Sequence, residues 1–254
     1  MVDANFHAHT VRCGHATGTE REYIEKAIAK GFKVCGFSDH TPQPFANGFV
    51  SGIRMGMEEF DGYAKTLRSL KAEYEDRIEV RIGLEAEYYP SCFERLLEEA
   101  DKRGIDYLIL GQHFVPEEET GFYAGSATYS EDDLKLYVEH TIEALDTGKF
   151  LYLAHPDLIH FSGDEDIYLK HMEKLCAYAK EKDILLEVNG LGLLINRWYP
   201  GIPFFRLASS MGCRFVFGCD AHDPTQIRQP GDIPGMSDFL AKTGVSFYRP
   251  DIGF

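Results

Sequence analysis

Short β-like runs alternate with amphipathic helical stretches from end to end of this chain of 254 residues. The first run ends at NFH, and TGTEREYIEKAIAKG follows with helix punctuation. Thr19 and Glu22 stand at capping-box spacing, Tyr23, Ile24, Ala27 and Ile28 recur on one face, and Gly31 supplies the stop. KVCGFSD reads as a strand, and EEFDGYAKTLRSLKAEY as a helix with Phe60, Tyr63, Leu67, Leu70 and Tyr74 along one stripe. The runs IEVRIGLEAE, IDYLILG, FLYLA, ILLEVN and RFVFGC continue the series, each with a helix-period segment after it. Parallel strands need such crossovers, so the pattern implies a parallel sheet covered by helices. About seven units without a linker between them predict one α/β domain over residues 1–254, closed as a TIM-type barrel, in preference to two domains.

Barrels of this type carry their chemistry at the C-terminal ends of the strands, and here those ends hold metal-ligand residue types. His7 and His9 close the first strand, with His15 just beyond; His40 ends the second in SDH; Glu85 lies in GLEAE on the third. His113 follows the fourth in GQHF, His155 the fifth in AHPD, and Asp220 and His222 the seventh in GCDAH. Each residue alone has an ordinary explanation as a hydrogen-bonded core histidine, a turn or an ion-pair partner. Their sorting does not: of ten histidines, only His140 and His171 in helices and His160 in a loop fall away from the rim. One zinc takes three or four protein ligands, so this set suits about three ions, with a carboxylate bridging a close pair. Imidazole mixed with carboxylate favours Zn, Fe or Mn over Mg or Ca.

The formal charge of −15 argues against nucleic-acid or anionic-membrane partners. Three dications and two ligand carboxylates nevertheless leave roughly +4 at the site, enough to draw a small phosphorylated substrate. A close metal pair lowers the pKa of a bridging water to about 7 or below and clamps attacking and leaving oxygens, which suits phosphoester hydrolysis; charge alone leaves acyl hydrolysis open. No apolar run is long enough for a bilayer, and MVDANFHAHT has no secretory pattern. The six cysteines are scattered without a CxxC pair, as expected of reduced thiols in a cytoplasmic protein; Cys13 and Cys219, beside the ligand candidates, read as packing residues.

HAH, CGH, SDH, GLEAE, GQHF, AHPD and GCDAH, in this order, resemble the PHP (polymerase and histidinol phosphatase) superfamily. HTVRCGHATG, GFSDHTPQP, IRMGMEEFDGY and GLEAEYYP are similar to its monofunctional histidinol-phosphate phosphatases. The resemblance implies a single-domain, distorted TIM-like (β/α)7 barrel with a trinuclear site. His7, His9, Glu85 and Asp220 would hold one ion, Glu85, His113 and His155 a second, and His15, His40 and His222 a third. The implied reaction is hydrolysis of L-histidinol phosphate to L-histidinol and phosphate in histidine biosynthesis. A hydroxide bridging the first two ions is expected to attack phosphorus in line, with Glu85 as the shared carboxylate and Asp220 taking the nucleophile's proton.

Substrate contacts are less constrained. Arg197, just after the sixth strand, offers a planar fork for phosphate. Asn189 at that strand's end, to orient substrate or to support a ligand from behind, His160 after the fifth strand and Arg54 in the Pro/Gly-rich loop 41–56 are further candidates, and the loop itself is a candidate lid. The same chemistry on a sugar phosphate or nucleotide is the alternative reading. Amidohydrolases share the H-x-H after strand one, but they recruit a modified lysine at the fourth strand end, where this chain has Gly111, Gln112 and His113. A non-catalytic metal scaffold would bind ions and release no phosphate. Oligomeric state is not legible.

Overall fold

In the computed structural model, residues 1–250 are described; the last four positions of the expected 1–254 domain lie outside the described residues. β1 (Ala4–Asn5), β2 (Val34–His40), β3 (Glu79–Ala86) and β4 (Tyr107–Leu110) pair side by side in that order, all parallel. β5 (Phe114–Val115) and β6 (Phe122–Tyr123) form a small antiparallel hairpin that the alternation did not foretell. β7 (Leu185–Asn189) and β8 (Arg214–Gly218) form a second parallel pair.

The expected strand FLYLA makes no ladder of its own. Leu153 bridges Leu110 on one side and Leu186 on the other, so the segment still lies between β4 and β7. It ends early because His155 turns at φ 26° and Pro156 has no N–H to give. On the far side Ala8 bridges Ala221, and the His9 N–H reaches the Ala221 carbonyl at 2.9 Å. The result is an α/β domain with a curled parallel sheet.

The helices form where periodicity puts them. α1 (Glu20–Ala29) has its capping box at Thr19 and Glu22 and ends before Gly31, whose φ of 77° suits a residue without Cβ. α2 (Phe60–Glu73), α3 (Phe93–Lys102), α4 (Glu131–Asp146) and α5 (Glu165–Glu181) follow, the last two capped by Ser130 and Asp164. The short α6 (Gly190–Leu194), α7 (Ile202–Ser210) and α8 (Met236–Thr243) complete the set.

A period of two explains how the sheet presents chemistry. On β3, Val80, Ile82, Leu84 and Ala86 pack in the helix-side core, which leaves Gly83 and Glu85 facing the inside of the curl. That inside has an apolar floor of Phe6, Val34, Tyr107, Ile109, Tyr152 and Val216. Tyr107 fills it so closely that a Cβ at Gly36 or Gly83 would overlap its side chain. Polar residues can therefore gather only above the floor, at the strand ends.

Candidate metal centre

All seven rim histidines meet there. In the β2–β3 ladder His40 lies directly opposite Glu85, which puts one imidazole and one carboxylate side by side before any loop geometry is added. Glu85 is buried, and its two oxygens face different neighbours. Oε1 lies 2.7 Å from His155 Nε2 and 3.5 Å from both His7 Nε2 and His113 Nε2. Oε2 lies 3.0 Å from His40 Nδ1 and 3.5 Å from His9 Nε2. Asp220 Oδ1 is 3.1 Å from His9 Nε2 and 3.4 Å from His7 Nε2. The His15 ring stacks on His222 at 4.8 Å, and His222 on His9 at 3.9 Å. Gly111 leaves the space Glu85 occupies; a Cβ there would overlap the carboxylate.

Charge is distributed unevenly in this cluster. Burial disfavours the ionised forms of Glu85 and Asp220, yet the imidazoles around them hold both pKa values well below the carboxylate range. Burial also opposes charge on His7, but Glu187, Asp220 and Glu85 outweigh it and raise the pKa well above the histidine norm; His9 is pushed up to about 9 for the same kind of reason. His222 is held down at about 3 by burial and by His9. Several ligand-type atoms have no hydrogen-bond partner although they are buried, among them His7 Nε2 and Glu85 Oε2. Donor atoms of His7, Glu85 and His155 lie within 4.8 Å of one another, as do those of His7, His9 and Asp220, and those of His9, His40 and His222. Ionised carboxylates, unpartnered imidazole nitrogens and mutual proximity match what divalent transition ions require.

Behind these residues stands a shell that the sequence reading missed. Glu187 Oε1 lies 2.8 Å from His7 Nδ1, Asp39 Oδ1 3.4 Å from His9 Nδ1, and Glu87 Oε1 3.4 Å from His113 Nδ1. Carboxylates in this position can hold the far nitrogen of a ligating imidazole, and the contact of Glu187 with His7 is a hydrogen bond. A signal existed: all three are acidic residues inside otherwise apolar strands or immediately beside a ligand, in LLEVN, SDH and GLEAE. Two ligand candidates also sit on unusual backbone, His155 at φ 26° and Asp220 at φ 53°. Each such residue costs about 1–3 kcal/mol, which is typical of functional positions.

The cluster opens into a cavity of about 610 Å³ lined also by Phe114, Tyr123, Leu191, Ile195, Arg197 and Tyr199. Among the described residues, Arg197 is the only Arg or Lys side chain in that wall, and its guanidinium lies 5.9 Å from the Tyr199 ring centroid. The other substrate candidates are elsewhere. Asn189 is fully buried; its side chain joins Glu187, Asp220 and the Gly192 N–H, so it supports the site from behind. His160 stacks on Trp198 at 4.2 Å and lines a separate pocket beside Asp157. Arg54 is buried in an ion-paired knot with Glu87 and Glu118, not turned toward the cavity wall. From loop 41–56, Gly52 and Ile53 do reach the wall. Cys13 lies close to His15 and His222, but burial pushes its thiol up to about 12 and its Sγ donates to the Thr10 carbonyl at 3.1 Å. Cys219 is a buried free thiol.

The chain is similar to known proteins along most of its length. The family described as PHP domain matches residues 5–190. A Deinococcus radiodurans protein named "Probable histidinol-phosphatase" is 31% identical over 230 residues, covering 87% of this chain and 86% of that protein. A Schizosaccharomyces pombe protein of the same name is 26% identical over 264 residues, covering 93% and 84%. The structure of histidinol phosphate phosphatase from Lactococcus lactis, complexed with zinc, L-histidinol and phosphate, is 16% identical, has a TM-score of 0.73, and covers 98% of this chain and 96% of that one; it shares this fold. With the match running from the first ligand strand through β7, this protein belongs to the PHP domain family.

Proposed function

We infer that this protein is a metal-dependent phosphomonoesterase that hydrolyses L-histidinol phosphate to L-histidinol and phosphate, the step of histidine biosynthesis for which its relatives are named. The observation that carries the reading is Glu85, a buried carboxylate with an imidazole set on each oxygen, at the base of a cavity that also holds Arg197. The two faces of Glu85 fit a carboxylate that would be shared by two of three ions; His7, His9 and Asp220 would hold one, His113 and His155 a second, and His15, His40 and His222 a third. Zinc, iron and manganese suit these donors, and the bridges at Leu153 and Ala8 support a distorted (β/α)7 barrel over residues 1–254. The cytoplasm suits such a biosynthetic enzyme.

Divalent ions bound there supply an acidified water and positive charge for the phosphoryl oxygens. The chain's own residues do the rest. Arg197 grips the phosphate with its fork, Asp220 remains ionised and takes the proton of the attacking water, and Phe114, Leu191 and Ile195 give the cavity an apolar side.

Elemental analysis of the purified protein together with phosphate release from histidinol phosphate tests this. Bound transition metal, activity lost on chelation and restored by zinc or manganese, and a preference for histidinol phosphate over sugar phosphates and nucleotides are the expected results. Faster turnover of a nucleotide overturns the substrate, and full activity after exhaustive chelation overturns the mechanism. Replacing Arg197 with alanine removes a charge-assisted contact of about 1.5–3 kcal/mol, so KM is expected to rise about 10–100-fold with a smaller change in kcat. An unchanged KM would remove Arg197 from the phosphate site.

A further inference from the structure

One buried carboxylate touches the ligand set from three sides without belonging to it. Glu187 lies on β7 between Leu186 and Val188, which pack in the helix-side core, and it is fully buried. Its Oε1 lies 2.8 Å from His7 Nδ1 and accepts from the Tyr152 hydroxyl at 3.4 Å. Its Oε2 accepts from the His155 backbone N–H and from Asn189 Nδ2, each at 3.0 Å. Asn189 Nδ2 also reaches Asp220 Oδ2 at 3.0 Å, while its Oδ1 is fixed by the Gly192 N–H at 2.8 Å. One side chain thus meets a ring from the end of β1, a backbone turn after Leu153 and, through Asn189, a carboxylate after β8. Room for it comes from Gly218, where a Cβ would overlap Oε1.

We propose that Glu187 is a positioning residue that selects the Nδ1–H tautomer of His7 and orients Asp220 through Asn189, so that both turn lone pairs toward the ion site. The proposal rests on the metal-dependent reading above. A carboxylate only accepts hydrogen bonds, so His7 Nδ1 must carry the proton. In the neutral ring that binds an ion, the lone pair is then on Nε2, the atom 3.5 Å from Glu85 Oε1 and 3.4 Å from Asp220 Oδ1. The Asn189 amide is fixed the same way: its oxygen is taken by Gly192, so its NH₂ faces both carboxylates.

Glu187→Gln breaks this logic at nearly constant volume, because an amide has one accepting end and one donating end. With its NH₂ toward His7, Nδ1 must accept, and the proton moves to Nε2, where it blocks the lone pair. With its NH₂ toward His155 and Asn189, it meets two donors, and Asn189 must turn away from Asp220. Either arrangement spoils one ligand. Tyr152→Phe is the control, since it removes the one Glu187 partner not joined to a ligand candidate.

The test is zinc affinity of the full chain by competition with a chromophoric chelator, beside melting temperature and phosphate release. Glu187→Gln is expected to bind zinc about 10–100-fold more weakly, the usual effect of losing an outer partner of a ligating histidine. Tyr152→Phe is expected to keep wild-type zinc affinity, whatever it does to the melting temperature. If the glutamine variant does not fold, imidazole ¹⁵N NMR of the zinc-loaded wild type decides: His7 must be protonated on Nδ1. Zinc affinity of Glu187→Gln equal to wild type, or His7 protonated on Nε2, overturns the positioning role and leaves the metal-dependent reading standing. A wild-type protein that takes up no zinc and no other divalent ion overturns that reading and the proposal with it.

Discussion

Glutamine in place of Glu85 is expected to remove nearly all phosphate release. Glu85 presents both oxygens to imidazole nitrogens, Oε1 to His7, His113 and His155 and Oε2 to His9 and His40. The amide is neutral and can present an oxygen to only one of those groups; its NH₂ confronts the other. The negative charge that favours cations on both sides disappears as well. Turnover is expected to fall at least about 1,000-fold, which corresponds to about 4 kcal/mol of lost transition-state stabilisation. Bound metal should drop in the same sample, whereas far-ultraviolet circular dichroism should not change, because the floor of Phe6, Tyr107 and Tyr152 is untouched. Activity within tenfold of wild type would mean that Glu85 is not shared between ions.

The second large effect is on stability. Arg54 carries a buried guanidinium whose Nε and Nη2 reach Glu118 at 2.9 and 2.7 Å, whose Nη2 also pairs with Glu87, and whose Nη1 lies 3.4 Å from the Thr41 carbonyl. Arg54→Met keeps much of the bulk and strands two carboxylates, Glu87 and Glu118, away from water. Breaking a buried pair on one side costs about 3–5 kcal/mol. At roughly 2–4 °C per kcal/mol for a domain of this size, the melting temperature should fall by about 10 °C. Glu87 also faces His113 Nδ1 at 3.4 Å, so activity should decline in step. Thermal denaturation of the metal-free proteins checks this. A melting temperature within about 2 °C of wild type, coupled with a raised KM, would return Arg54 to the role of substrate ligand.

Much of the site could be read from the chain because strand-end chemistry depends on local motifs. SDH and GLEAE deliver His40 and Glu85 through simple alternation, and their pairing needs only a parallel register. The less legible parts depend on contacts across the fold. Arg54 looked like a free cation on a loop because its partners, Glu87 and Glu118, are 33 and 64 residues away. His160 follows a ligand strand, yet the aromatic face of Trp198 claims it. Glu187 was hidden for the opposite reason: inside ILLEVN it reads as one polar residue in an apolar strand, and its partner His7 is 180 positions earlier. The FLYLA strand was overestimated because apolar composition says nothing about the turn at His155 that cuts its pairing short.

The contact between Ala8 and Ala221 has a consequence for how the protein is made. Residues 7 and 9 precede residues 220 and 222 by 213 positions, so a growing chain carries seven of the nine candidate ligands before the last two are made. Only docking of the segment at Ala221 beside Ala8 completes the set. On the proposed metal-dependent reading, cation loading waits until the chain has passed Asp220, and nascent chains truncated before it should emerge without the capacity to assemble the centre, however well their earlier strands have folded.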